Sequence, residues 1–204
     1  MNLQAPAPRL ILASGSIPRG ALLAAAGLTF ETRVAAVDEA EVKRGARAAG
    51  LDAAAVALLL ARLKAERVAS KVPDALVIGA DQLLVCEDRW FDKPADVSEA
   101  RRHLLALRGR THTLVTAILC QHGANMVWQH VARPTLTMRA FSEAFLDEYL
   151  AIEGTALTAT VGAYRLEGLG AHLFDRITGD HAAILGLPLL PLLRFLREFG
   201  LLTG

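Results

Sequence analysis

Residues Ala75 to Cys86 form an apolar run rich in β-branched side chains, interrupted only by Gly79, Asp81 and Gln82. Such a run predicts a central β-strand around which the remaining elements must be organised. Asp81 is the anomaly in it. An aspartate opposes strand preference and is costly to bury unpaired, so something must compensate its charge. Two readings stand at this level. One is a β-bulge at Gly79 with a hydrogen-bonded carboxylate, and the other is a catalytic base or metal ligand facing a cleft.

Helical and extended patterns alternate loosely on either side of that strand. Leu10 to Ala13 reads as a short strand stopped by Ser14-Gly15-Ser16, with Pro18 preceding a helical stretch from Arg19 to Ala26. Leu28 to Val34 reads as a further strand, and Asp52 to Lys71 as the longest helix. Asp96 followed by Glu99 predicts a capped helix over Val97 to Leu107, ended by Gly109. Leu114 to Cys120 and Met126 to Met138 predict two strands joined around Gly123-Ala124-Asn125, and Ser142 is placed to cap a helix running through Ala151. Leu157 to Ala163 and Ala171 to Ile177 read as strands, and Leu187 to Phe199 as a last helix. The pattern implies a mixed α/β fold with an antiparallel portion. No repeat, low-complexity tract or long linker divides it, so residues 1–204 are expected to form one domain.

Charge and composition narrow the partners. Twenty-two Lys and Arg against 21 Asp and Glu give a formal charge of +1, which supplies no overall field for nucleic acid or an anionic membrane. An anionic ligand must then be small and locally held. The longest apolar stretch, Ala182 to Leu193, contains Pro188 and Pro191 and is too short to span a bilayer. Met1 to Arg9 carries no signal-type pattern, and a cytoplasmic setting is expected. Cys86 and Cys120 lack CxxC spacing and read as core residues, while the six histidines form no HExxH pattern.

Several residues are chemically suggestive. Ser14-Gly15-Ser16 sets two hydroxyls and a flexible backbone just before a helix, whose first amides can receive phosphate, with Arg19 able to add a bidentate grip. A simple helix cap is the alternative. No GxxxxGK[ST] sequence accompanies it. Asp38-Glu39 supplies acidic groups at a strand end, readable as an exposed turn or as a Mg²⁺ ligand. Lys93, restrained before Pro94, can project a cation toward phosphate. Lys64 interrupts an apolar helix, and Glu167 lies in the turn-like stretch Arg165 to Gly170. Gly168 and Gly170 do not complete a GxGxxG, so dinucleotide binding is not expected.

Taken in order, LILASGSIPRGALL (residues 10–23), AAVDE (35–39), LARLKA (60–65), VIGADQ (77–82), DKP (92–94), ALRGRTHTLVTA (106–117), YRLEGLGAHLF (164–174) and ILGLPL (184–189) resemble the Maf family across nearly the whole chain. The resemblance implies an elongated mixed sheet flanked by helices around a nucleotide cleft, frequent homodimers, and hydrolysis of nucleoside triphosphates that depends on a divalent cation, Mg²⁺ or Mn²⁺. It implies Asp81 as the catalytic acidic residue, Ser14, Arg19, Lys64 and Lys93 as substrate-binding groups, and Glu39 with Asp81 as metal ligands. Pro18, Gln82 and Glu167 fall at its substrate-selecting positions. Gln82 and Glu167 resemble the branch acting on 7-methyl-GTP. The pattern departs from the family at Ile17, Pro18 and Gly20, where a Pro, an Arg or Trp, and an Arg are usual. Two other functions remain compatible with the resemblance, a nucleotide-binding regulator of cell division without turnover and a pyrophosphatase for other modified nucleotides.

Overall fold

The strand marked by Asp81 forms as expected, β3 at Leu76–Cys86, with Asp81 and Gln82 its only polar side chains. The computed structural model describes residues 3–203. Among these residues eight strands belong to one mixed sheet, in the order β2-β1-β3-β5-β7-β8, with β4 paired to β3 and β6 paired to β5. The remaining strands are β1 (Leu10–Leu12), β2 (Glu31–Thr32), β4 (Arg89–Phe91), β5 (Thr111–His122), β6 (Asn125–Ala132), β7 (Thr135–Met138) and β8 (Phe174–Thr178). Among the described residues seven α-helices flank them: α1 (Ile17–Ala25), α2 (Glu39–Ala48), α3 (Ala53–Ala69), α4 (Val97–Leu107), α5 (Glu143–Glu153), α6 (His181–Ile184) and α7 (Leu189–Glu198). The α/β class with a mixed sheet is therefore as expected. Among the described residues no helix is long and apolar enough to cross a membrane.

The contacts divide the chain into two compact units, through both of which β3 and β5 run. Unit 1 contains Met1–Asp81, Thr116–Ala132 and Asp180–Gly204. Its parallel strands β2, β1 and β3 pair Ile11 with Glu31 and with Val77. Leu10, Leu12, Leu76, Ile78 and Ile118 pack with Leu187, Leu192 and Leu196 into one apolar core. Burial of such side chains, each stabilising by roughly 1.5–3 kcal/mol, holds this unit together.

Within unit 1, α3 lies unusually close to β3. A Cβ placed on Gly79 would overlap the carbonyl oxygen of Ala61 and lie 2.9 Å from the Ala65 Cβ. Only glycine admits helix backbone this near the strand. Asp52 starts α3 by accepting a hydrogen bond from the Ala55 N–H at 2.8 Å.

Unit 2 contains Gln82–Val115 and Arg133–Gly179. Here β3 continues into an antiparallel hairpin with β4, and β5 pairs with β7, which pairs with β8. The caps expected at Asp96 and Ser142 form: Asp96 accepts from Glu99 N–H at 2.7 Å, Glu99 accepts from Ala95 N–H at 2.8 Å, and Ser142 accepts from Phe145 N–H at 3.2 Å. These bonds satisfy amides that the first helical turn leaves without partners.

Several expectations for local structure need correction. Leu157 to Ala163 is not a strand but lies in two 3₁₀ segments, Gly154–Ala159 and Val161–Ala163, with Gly162 at φ 78°. A short apolar run does not distinguish a strand from a buried helical turn. The strand expected from Ala171 begins only at Phe174, because Leu169–Leu173 forms another 3₁₀ segment. Met126 to Met138 is broken into β6 and β7 around Pro134, which has no N–H to contribute to a ladder. Residues 28–34 provide only the two-residue β2, and the acidic turn beyond it opens the unexpected helix α2, capped by Asp38 accepting from Glu41 N–H at 2.9 Å.

Candidate functional site

In unit 1 the fold gathers five of the sequence-derived residues: Ser14 after β1, Arg19 on α1, Glu39 at the first position of α2, Lys64 on α3 and Asp81 on β3. Gly79 and Asp81 share a face of β3 because strand side chains alternate. Ala61 and Lys64 lie one turn apart on α3. The Gly79–Ala61 approach thereby delivers Lys64 to Asp81.

The Lys64 Nζ donates to Asp81 Oδ1 at 2.6 Å and lies 2.7 Å from Glu39 Oε1. Asp81 is 4% exposed, and its Oδ2 is buried with no hydrogen-bond partner. Burial raises the Asp81 carboxyl above the usual carboxylate range, opposed by the Lys64 charge and hydrogen bond and by Arg19, and reinforced by Glu39. A carboxylate so placed is ready to accept a proton or to take a further cationic partner.

Arg19 is also buried. Its Nε donates to Gly186 O at 2.8 Å, and its Nη1 donates to Ala80 O at 2.9 Å and to Ser14 Oγ at 3.1 Å. Burial lowers its pKa, against the attraction of Asp81 and Glu39, but a guanidinium remains charged at any physiological pH. Ser14 Oγ additionally accepts from Ser16 N–H at 3.2 Å. With both acceptor positions used, the Ser14 hydroxyl retains its proton for an outside acceptor such as a phosphate oxygen. Ser16 occupies the N-cap position of α1 without making a side-chain cap, so it leaves the helix start open.

Pro18 lies within the first turn of α1, where a missing N–H is tolerated. Gln82, Lys93 and Glu167 belong to unit 2. Gln82 is half-buried and follows Asp81 on the opposite face of β3. Lys93 is exposed between β4 and α4, ahead of the buried Pro94. Glu167 is exposed in the turn after Arg165.

Two glycines that the sequence alone does not assign to the site, Gly79 and Gly186, help to build it. Gly186, at φ 95°, supplies a carbonyl to Arg19 and leaves space that a side chain would take from the guanidinium, since a Cβ there would lie 3.0 Å from Arg19 Nε. The signal is the glycine within ILGLPL, but its partner stands 167 residues away.

Among the described residues no group of three or more His, Cys, Asp or Glu side chains is gathered to hold a metal. Glu39 and Asp81 offer two hard carboxylate donors, including the unpartnered Asp81 Oδ2. That set suits Mg²⁺ or Mn²⁺ bound chiefly through substrate oxygens and water, rather than a cation caged by protein alone.

The fold and this cluster define an α/β protein with a buried carboxylate–ammonium pair beside a serine-lined helix start. The family model for Maf-like proteins matches residues 9–199, and the chain belongs to that family. A nucleoside triphosphate pyrophosphatase of Granulibacter bethesdensis is 56% identical over 195 residues, covering 96% of this chain and 99% of the relative. One of the same name from Rhodospirillum rubrum is 48% identical over 202 residues, covering 99% and 100%. A 7-methyl-GTP pyrophosphatase of Rhizobium meliloti is 49% identical over 193 residues, covering 95% and 97%.

Proposed function

We propose that this chain hydrolyses a nucleoside triphosphate, with 7-methyl-GTP the favoured substrate, to the monophosphate and diphosphate. The observation that carries the reading is the buried Asp81 carboxylate, held at one oxygen by Lys64 and unpartnered at the other. Its relatives' names supply the reaction class.

In this reading a water oxygen attacks the α-phosphorus, a proton of that water passes to Asp81, and the bond from the α-phosphorus to the bridging oxygen breaks. Diphosphate leaves with the bond's electron pair. Burial makes Asp81 a stronger base than an ordinary aspartate, which favours its taking a proton from the attacking water. Lys64 holds the carboxylate's direction. The Ser14 hydroxyl, the open α1 start and Lys93 receive phosphate oxygens, while Arg19 fixes Ser14 and adds positive potential. A divalent cation held by Glu39 and Asp81 would, when bound, offset triphosphate charge.

Base selection is assigned to Pro18, Gln82 and Glu167. The Glu167 carboxylate can accept hydrogen bonds from guanine N1 and its exocyclic amine, and favours a ring made cationic by methylation. Ile17 and Pro18, standing where the family usually has Pro and then Arg or Trp, remove one cationic or aromatic contact with the base. This favours a broader selectivity among modified nucleotides.

Diphosphate release by the purified protein with Mg²⁺ or Mn²⁺, across canonical and methylated triphosphates and beside Asp81→Asn, tests the proposal. Turnover lost in the variant establishes the reaction, and the highest kcat/KM on 7-methyl-GTP supports the base assignment. Nucleotide binding with no turnover on any substrate would replace the enzyme reading with that of a binding regulator.

A further inference from the structure

Glu153 ends α5 with a carboxylate whose side chain is only 3% exposed. Its Oε2 accepts from Arg165 Nε at 2.8 Å. A carboxylate buried this deeply is retained only with a charged, hydrogen-bonded partner. Glu153 therefore depends on Arg165, whose own side chain reaches solvent. Their partnership has a location with consequences, because Arg165 begins the turn that presents Glu167.

That turn is tightly closed. Gly168 N–H donates to Arg165 O at 3.2 Å, and Ala171 N–H donates to Gly168 O at 3.2 Å. Gly170 packs directly on the Arg165 backbone, where a Cβ would stand 2.8 Å from the Arg165 carbonyl carbon. Gly168 lies beside the ion pair itself, where a Cβ would fall 3.5 Å from both Arg165 Nη2 and Glu153 Oε1. The turn thus rests on the guanidinium at one end and on the Arg165 backbone at the other. Glu167, between them, is exposed. Arg165 and Glu167 attract each other electrostatically.

We propose that the Glu153–Arg165 ion pair is a positioning device for Glu167, anchoring its turn to α5 so that nucleobase selectivity depends on two residues that do not touch the base. The inference rests on the reading of Glu167 as the base-selecting carboxylate. An acceptor on a glycine-containing turn discriminates between bases only if the turn is held, because hydrogen-bond selectivity falls steeply with misplacement. Arg165 supplies a rigid fork that a lysine cannot reproduce.

The experiment is steady-state kinetics on GTP and 7-methyl-GTP for the intact chain, Glu167→Gln, Glu153→Gln, Arg165→Lys and the double variant Glu153→Gln/Glu167→Gln, with thermal unfolding measured for each. Glu153→Gln is nearly isosteric, and Arg165→Lys preserves the cation that Glu153 requires, so each alters the fork while sparing the fold. The proposal expects each single variant to narrow the kcat/KM ratio of the two nucleotides by roughly tenfold to a hundredfold, chiefly through KM of the preferred one. In the double variant the ratio should match that of Glu167→Gln alone. Variants of Glu153 and Arg165 that lower melting temperature but keep the nucleotide ratio would reduce the pair to a structural anchor and overturn the proposal. Additive loss in the double variant would overturn it as well, by showing action independent of Glu167. An unchanged ratio in Glu167→Gln itself would remove the base-reading assignment, a failure visible without reference to the other variants, and the proposal would fall with it.

Discussion

Gly79 of the central strand faces the carbonyl oxygen of Ala61 so closely that no β-carbon fits between them. This contact sets the depth at which α3 lies on β3, and the Lys64–Asp81 pair stands one helical turn and two strand residues further on. Gly79→Ala is therefore expected to move the helix backbone rather than a flexible side chain. Overpacking of this kind costs about 1–3 kcal/mol. Denaturant unfolding should show that loss, and diphosphate release should fall with it because Lys64 is carried away from Asp81. Wild-type activity and stability in Gly79→Ala would show that the contact does not position the pair.

Asp81→Asn separates chemistry from folding. Because burial raises the Asp81 pKa, its ionised form is a burden on the folded state at neutral pH. Folding favours the protonated acid, so this burden disappears as pH falls through the raised value. The neutral amide avoids it at every pH, while Lys64 keeps Glu39 as a partner. Calorimetry in chelator at pH 7 should find the variant at least as stable as wild type, with activity reduced by ~10²–10⁴ or more. A markedly less stable variant would mean that the ion pair with Lys64 outweighs desolvation.

The features legible in the sequence obey local rules. Asp81 stands out because a carboxylate contradicts its apolar surroundings, and the caps at Asp96 and Ser142 can be read because each bond spans three residues. Helix α2 is not legible because Ala46 is its sole buried residue, so no apolar stripe announces it. Gly79 suggests a bulge in the sequence, whereas its role is to admit an atom 18 positions earlier, on another element. Glu153 and Arg165, 12 residues apart, carry no pattern that distinguishes them from solvated charges until burial is known. Order along the chain supplies the candidate residues, and packing decides which ones share a place.

Arg19→Lys tests the clamp on Ser14. The guanidinium reaches Gly186 O, Ala80 O and Ser14 Oγ at once, a fork that a single ammonium cannot span. Leaving a buried carbonyl without its donor costs about 1–3 kcal/mol. The variant should unfold earlier in denaturant and show a raised KM for triphosphate, since Ser14 loses the partner that orients its hydroxyl. An unchanged KM with lowered stability would confine Arg19 to a structural role.

His112 should dominate the acid side of the stability profile of unit 2. It is buried on β5, its Nε2 bonded to the Tyr164 hydroxyl at 2.8 Å, its Nδ1 without a partner, and its ring packed near Tyr164 and Phe174. Burial lowers its pKa to about 4 from an ordinary 6.5. The unfolded chain therefore binds a proton across the window from pH 6.5 down to about 4 in which the folded chain does not. Stability is full above that window and is lost as pH falls through it, by up to about 3 kcal/mol on the scale of 1.36 kcal/mol per pKa unit. His112→Gln, which retains a polar group for Tyr164 but cannot titrate, should be less stable than wild type at pH 7.5 and lose less on acidification. Unfolding free energies at pH 7.5 and 4.5 for the two proteins decide it: parallel losses would show that other groups, and not His112, govern the acid limb.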